Sequence, residues 1–440
     1  MIIAKRLRGK AIAAWLGPTG DAARRALHRV RGTSRTLDFY FDISDPWSYL
    51  AAQAVDRLVR AYPVELAIHI ISTPASDVDP MPELRAKHAV RDAQQLADYW
   101  NVDFPGKREP DPGMLRDVAT ALIRDRPAAD QLRAALELTT AMWQGDKKTL
   151  AKLVGTWGND SSVAVPPVLA GSYADLRKAG HYQGAMLRYG GTWYWGIDRL
   201  HYLEAELARD LEAELVNVVA PRPLAERGPR LLSDKPLACE MWFSFRSPYS
   251  YLALEQIEVV LAAYQVPLVL RPVAPMLTRG LAMPQIKRMY IAHDAKREAD
   301  RLGIPFGQLC EPTGSGVDHC LALVHWAAKR GGGADIAFAR SVARGIWSEA
   351  RDPGEYVDLR ELVERAGLPW DEAREALGDP AGKAAAQANA ADLAVAGLWG
   401  VPSFRLGDFV AWGNDRLPLL ADRLRRHAQG VLSPAHVDRE

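Results

Sequence analysis

Phe243-Ser244-Phe245-Arg246-Ser247-Pro248-Tyr249-Ser250-Tyr251-Leu252-Ala253 decides how this chain is read, because Phe41-Asp42-Ile43-Ser44-Asp45-Pro46-Trp47-Ser48-Tyr49-Leu50-Ala51 stands 202 residues earlier in the same pattern. In each block an apolar run meets Ser-Pro or Asp-Pro and passes into a stretch of helical period. Serine and aspartate are favoured N-caps, and proline suits the first helical position, where its missing N–H costs nothing. Each block therefore delivers a strand onto the N-terminus of a helix. The same offset pairs Ala61-Tyr62 with Ala263-Tyr264, Met81-Pro82 with Met283-Pro284, Asp92-Ala93 with Asp294-Ala295, and Phe104 with Phe306. An offset of 217 then pairs Trp195-Gly196-Ile197-Asp198-Arg199-Leu200 with Trp412-Gly413-Asn414-Asp415-Arg416-Leu417. The chain reads as a tandem repeat whose intervening segments have changed length.

Outward from these blocks, each copy shows a first strand (Leu37 to Phe41; Glu240 to Phe245), a helix and a second strand (Val64 to Ile70; Pro267 to Leu270). A charged helical insert follows, longer in the second copy, where Leu321 to Arg330 and Ala337 to Glu349 carry helical period. A Val-Pro element, a strand and a helix led by Asp-Arg-Leu close each copy. Strand–helix–strand followed by helices predicts an α/β unit with a parallel strand pair. Val219 to Pro236 holds Pro221, Pro223, Pro229 and Pro236 with Gly228, a linker composition. The expected organisation is an N-terminal arm over 1–35, a first domain over 36–215, a linker over 216–236, a second domain over 237–430 and a tail over 431–440.

With 440 residues, 48% hydrophobic and 25% charged, the chain has the composition of a soluble globular protein. A net charge of +1 gives no chain-wide case for binding nucleic acid or an acidic membrane. Residues 1–35 are the exception, with nine Lys/Arg against Asp21 alone. That start reads as a solvated arm, a surface-associating helix or a presequence. No run approaches the roughly 18 apolar residues of a membrane span, and a cytoplasmic location is the expectation. Cys239, Cys310 and Cys320 contain no C-x-x-C and no common zinc spacing, which fits small buried thiols better than a disulfide framework or a metal site.

Three elements carry the candidate chemistry. Ser247 can simply cap its helix, or its hydroxyl and the helix N–H groups can hold a thiolate and lower a thiol pKa. Val401-Pro402-Ser403-Phe404 can be a cis-proline turn or an ordinary edge-strand proline, and Val165-Pro166-Pro167-Val168 is taken as its first-copy counterpart. Asn414 or Asp415 can cap the last helix, or present a carboxylate and N–H groups to a zwitterionic end of a ligand.

In fixed order, these motifs resemble the DsbA-like thioredoxin superfamily, and within it the 2-hydroxychromene-2-carboxylate isomerases and kappa-class glutathione transferases. Met283 to Phe306, with Lys287, Tyr290, Asp294 and Arg297, is similar to that family's helical insert. About 190 residues of the second copy share the resemblance, and the first copy follows less faithfully. It implies two tandem thioredoxin-like domains, each interrupted by an α-helical insertion, with glutathione as cofactor. Ser247 and Ser250 stand where thiol oxidoreductases carry the two cysteines, so disulfide exchange is not available there. By the resemblance, Ser247 is the catalytic residue that holds the glutathione sulfur. Val401, beside a cis-Pro402, pairs with its cysteinyl backbone, and Asn414 and Asp415 hold its γ-glutamyl end. The implied reaction is cis–trans isomerisation of a conjugated or aromatic 2-oxo acid through a thiol adduct; a kappa-like transferase and a non-catalytic DsbA-like binding protein are the alternatives. Tyr249, Lys287 and Tyr290 are substrate candidates, Trp347 a candidate pocket wall, and Lys287, Arg288 and Arg279 candidate partners for the substrate carboxylate. Single-domain relatives often pair, which implies an intrachain pseudo-dimer.

The first copy departs where the chemistry lies. Asp45 occupies the Ser247 position, and a carboxylate beside a thiolate raises the cost of ionising the thiol. Pro46 fixes the cap at Asp45 against a slip to Ser44. Pro167 replaces Ser403, and about nineteen extra residues separate Pro166 from Asp198 relative to the second copy. A degenerate first site is the expectation.

Overall fold

The computed structural model describes residues 9, 11–12, 14–17, 20, 36–158, 164–221, 224 and 237–429. Most of the expected arm, the core of the expected linker and the expected tail lie outside the described residues. The chain divides into two compact units, Ala23–Arg222 with Pro284–Lys287, and Met1–Ala22 with Pro223–Met283 and Arg288–Glu440.

The first unit runs β1 (Thr36–Asp42), α1 (Pro46–Ala61), β2 (Glu65–Ile71), α2 (Pro82–Trp100), α3 (Pro112–Leu122), α4 (Ala128–Gln144), α5 (Lys147–Trp157), α6 (Val165–Ala179), β3 (Met186–Tyr189), β4 (Thr192–Trp195) and, after a 3₁₀ turn at Ile197–Arg199, α7 (Leu200–Asp210). Its sheet order is β2-β1-β3-β4, with β1 parallel to β2 and the other pairs antiparallel. The central strand is the apolar one: Leu37, Phe39 and Phe41 are wholly buried, as a strand covered on its core face requires.

In the second unit, the elements are β5 (Cys239–Phe243), α8 (Pro248–Ala262), β6 (Leu268–Pro272), α9 (Gln285–Leu302, in the second unit from Arg288 onward), α10 (Ser315–Arg330), α11 (Ala334–Ser348), α12 (Tyr356–Arg365), α13 (Trp370–Glu375), α14 (Ala381–Val395), β7 (Ser403–Leu406), β8 (Phe409–Trp412) and, after a 3₁₀ turn at Asn414–Arg416, α15 (Leu417–Ala428). The order β6-β5-β7-β8 repeats that of the first sheet, again with one parallel pair. Trp242 on β5 ties this sheet to the helices. It is fully buried, its Nε1 donates to the Asn389 carbonyl at 2.9 Å, and it packs with Val273, Leu393, Leu398 and Val410. Val401 leans on the same cluster, so the core fixes the turn that enters β7.

Sheet register corrects one reading. Val165-Pro166-Pro167-Val168 opens helix α6, where the prolines occupy first-turn positions; it is not the entrance to a strand. Met186 pairs with Trp195 in the first sheet as Ser403 pairs with Trp412 in the second. Gly184-Ala185 therefore stands where Val401-Pro402 does, with no extra residues between that point and the closing motif. Among the described residues the one cis peptide bond is Val401–Pro402; Ala185 instead takes a positive φ of 55°.

Candidate functional site

Helix α8 begins at Ser247, whose extended backbone (φ −109°, ψ 114°) turns the chain into the helix. The Ser247 hydroxyl accepts from the Ser250 N–H at 3.1 Å and donates to the Val401 carbonyl at 3.3 Å. One side chain thus joins the helix mouth to the cis-proline turn. Pro402 offers its carbonyl to the Gly413 N–H at 2.9 Å, and the Ser403 hydroxyl donates to the Gly400 carbonyl at 2.8 Å. A Cβ on Gly400 would lie 2.2 Å from the Trp412 ring, so only glycine lets this turn pass beneath the tryptophan. Ser247 is half-buried, whereas Ser250 is enclosed and its oxygen accepts from the Ser244 N–H. Of the two serines, Ser247 is the one at the mouth.

The other sequence-predicted residues separate into groups. Neither Asn414 nor Asp415 caps α15: a 3₁₀ turn intervenes, and the cap position falls to Arg416 without a side-chain bond. Asn414 is buried and accepts from Gln256 of α8 at 3.2 Å, while Asp415 pairs with Arg416 at 3.2 Å. Tyr249 donates to Asp294 at 2.7 Å, and Arg297 bonds the other oxygen of that carboxylate. The same offset gives Trp47 Nε1 donating to Asp92 at 2.7 Å in the first unit. The sequence paired these aspartates but did not reveal their role as tethers for the aromatic residue of the helix mouth.

Trp347 is core: it is 3% exposed, donates to the Phe245 carbonyl and stacks on Phe306. Tyr290 is half-buried on α9, and Arg288 is exposed there. Lys287, in the segment grouped with the first unit, donates to the Val78 carbonyl at 3.1 Å, and burial pushes its pKa down. Arg246, next to Ser247, is paired with Glu311 at 2.9 Å. Arg279 donates to the Trp399 carbonyl at 2.9 Å.

All three cysteines are buried, and none is joined in a disulfide. Burial pushes Cys239 up to about 12 and raises Cys320 as well, so these two thiols stay protonated and offer no nucleophile. Among the described residues no group of three or more His, Cys, Asp or Glu could hold a metal, and no helix is long and apolar enough to cross a membrane.

The equivalent mouth in the first unit is filled by the protein. Asp45 caps α1 and accepts from the Ser48 N–H and hydroxyl at 3.1 and 2.9 Å. Ser48 in turn accepts from the Ala185 N–H at 2.7 Å, and a Cβ on Gly184 would meet Asp42 at 2.7 Å. Arg85 lies 3.8 Å from Asp45 and bonds Asp79 at 2.6 Å. Burial, then the neighbouring Asp42, pushes Asp45 up to about 7. Its carboxylates, Asp42, Asp45 and Asp79, outnumber the one cation, Arg85, and so disfavour a thiolate there.

A helix N-terminus with a half-buried hydroxyl beside a cis-proline turn, in a unit whose cysteines are all buried, is suited to hold an external thiol or anion. Residues 238–425 match the model of the DSBA-like thioredoxin domain. This C-terminal half is a DsbA-like thioredoxin domain. The chain is 27% identical over 197 residues to 2-hydroxychromene-2-carboxylate isomerase of Sphingobium xenophagum, a match covering 42% of this chain and 96% of that protein. Among solved structures it is similar to a 2-hydroxychromene-2-carboxylate isomerase, at 25% identity over 44% of this chain and 100% of the other, with a TM-score of 0.38. It is also similar to a probable DsbA oxidoreductase from Streptomyces coelicolor, at 24% identity over 46% and 93% of the two chains, with a TM-score of 0.36.

Proposed function

We propose that the second unit is a glutathione-dependent isomerase of the 2-hydroxychromene-2-carboxylate isomerase type. The observation that carries this reading is the Ser247 hydroxyl at the start of α8, 3.3 Å from the Val401 carbonyl, in a domain whose own cysteines are all buried. The 27% identity to a named isomerase supports the reaction class. Ser247 donates to the sulfur of glutathione and, with the positive end of α8, favours its anion. Val401 pairs with the cysteinyl backbone, and the segment at Asn414 and Asp415 receives the γ-glutamyl end. Bound as a thiolate, glutathione supplies a nucleophile that adds reversibly to the double bond of a conjugated 2-oxo acid, allowing rotation before it leaves. Serine at both former cysteine positions keeps the site out of disulfide exchange. The reading places the protein in a compartment where glutathione is kept reduced, the cytoplasm.

The chain as a whole is, on this reading, a tandem duplicate whose first unit no longer does chemistry. Two sheets with one strand order and one register at the closing hairpin support that view, as does the Asp45 cluster that fills the first mouth.

The test is binding and turnover. Wild-type protein should bind glutathione at millimolar concentration or below, and Ser247→Ala should lower turnover of a conjugated 2-oxo acid by about 10–1000-fold, or ~1.4–4 kcal/mol. No glutathione binding at millimolar concentration refutes the reading.

A further inference from the structure

Arg279 ends a 3₁₀ turn at Met276–Arg279, which is fastened by Thr278 donating to the Pro275 carbonyl at 2.8 Å. Its guanidinium donates to the carbonyl of Trp399 at 2.9 Å, two residues before Val401 in the turn that receives Ser247. The Arg279 Nε is enclosed and has no hydrogen-bond partner. Among the described residues Arg279 has no carboxylate within ion-pair distance, unlike Arg246, which has Glu311. A guanidinium carries five N–H donors in a planar fork matched to a carboxylate, and burying such a charge without a counter-charge is costly. Burial accordingly pushes its pKa down, with no acidic neighbour acting against it. Of the other two cations expected in this role, Lys287 lies in the segment grouped with the first unit, where it donates to the Val78 carbonyl, and Arg288 is exposed.

We propose that Arg279 is the receptor for a ligand carboxylate bound beside the Ser247–Val401 turn. The fork fixes one end of the ligand, and the carboxylate supplies the missing counter-charge. Two carboxylates have this chemistry once the function proposed above is accepted, on which their identification rests: that of the 2-oxo acid, and the glycyl carboxylate of glutathione.

The test uses the full chain as wild type, Arg279→Ala and Arg279→Lys, with thermal melts to establish that all three are folded. Calorimetric titration compares glutathione with its glycyl ethyl ester, steady-state kinetics compare a conjugated 2-oxo acid with its methyl ester, and phenylpyruvate is titrated alone by NMR. Wild type should prefer the acid over the ester by about 10–100-fold in one of the pairs. Arg279→Ala should abolish that preference without weakening the ester, and Arg279→Lys should restore part of it. Loss of preference in the glutathione pair assigns the glycyl carboxylate, and loss in the substrate pair, read in KM, assigns the 2-oxo acid. If phenylpyruvate binds wild type but not Arg279→Ala while glutathione binds neither, the carboxylate receptor stands and the glutathione reading falls. If Arg279→Ala discriminates acid from ester as wild type does and binds phenylpyruvate equally, the inference is overturned.

Discussion

Replacing Asp45 with asparagine should make the first unit more stable, and more so as pH rises. Asp45 is 3% exposed, its Oδ1 has no hydrogen bond, and its nearest cation is 3.8 Å away. Burial is the larger cause of its raised pKa and the adjacent Asp42 the second, and together they outweigh Arg85 and Ser48. A group whose folded pKa lies above its unfolded value stabilises the fold fully below the unfolded pKa and loses that contribution as pH rises through the folded one. With values of about 7 folded and 3.8 unfolded, the window runs from about pH 4 to about pH 7. Linkage at ~1.36 kcal/mol per unit puts the wild-type loss between pH 5.5 and pH 8 at about 2 kcal/mol. Asp42, also raised by burial, acts on Asp45 electrostatically, so the titration is that of the pair. Asparagine keeps the capping oxygen and cannot ionise. Hydrogen exchange of peptides from α1 reads the local opening free energy without assuming that the two units unfold together. The advantage of Asp45→Asn should grow by about 2 kcal/mol between about pH 5.5 and about pH 8. An advantage that is constant across that range, or reversed, would refute the account of a proton held by burial.

The remaining predictions concern the second unit. Gly400→Ala should disturb the turn, because its Cβ would fall 2.2 Å from the Trp412 ring; a loss of about 1–3 kcal/mol is expected, with glutathione affinity falling alongside it, and an unchanged melting temperature and affinity would show that the tryptophan yields freely. The three cysteines, all buried, should resist a thiol-specific reagent in native protein and all react after unfolding; a thiol that reacts quickly in the native state would bring disulfide chemistry back into consideration.

How far the sequence discloses this molecule depends on how local the determining physics is. Ser247-Pro248 and Asp45-Pro46 are legible because capping and a first-turn proline are decided within four residues, and both helices start where that spelling puts them. Val165-Pro166 shows the opposite. Over two letters, a proline opening a helix and a cis-proline entering a strand are spelled alike, and only the strand pairing beyond tells them apart. The information was nevertheless present: carrying the 217-residue offset backwards from Trp195 and Trp412 sets Ala185 on Pro402 and Gly184 on Val401, the correspondence that the sheet register gives. The same limit explains Asn414, whose side chain turns inward to Gln256 across 158 residues of sequence, and Arg85, whose approach to Asp45 depends on where α2 packs against α1. Residues acting through their own backbone neighbourhood could be assigned from spacing, whereas those acting through a charge or carbonyl on another element could not. Arg279 belongs to the second kind. In the sequence it is one of three interchangeable cations, and only the enclosure of its Nε without a partner, beside the bond to Trp399, sets it apart.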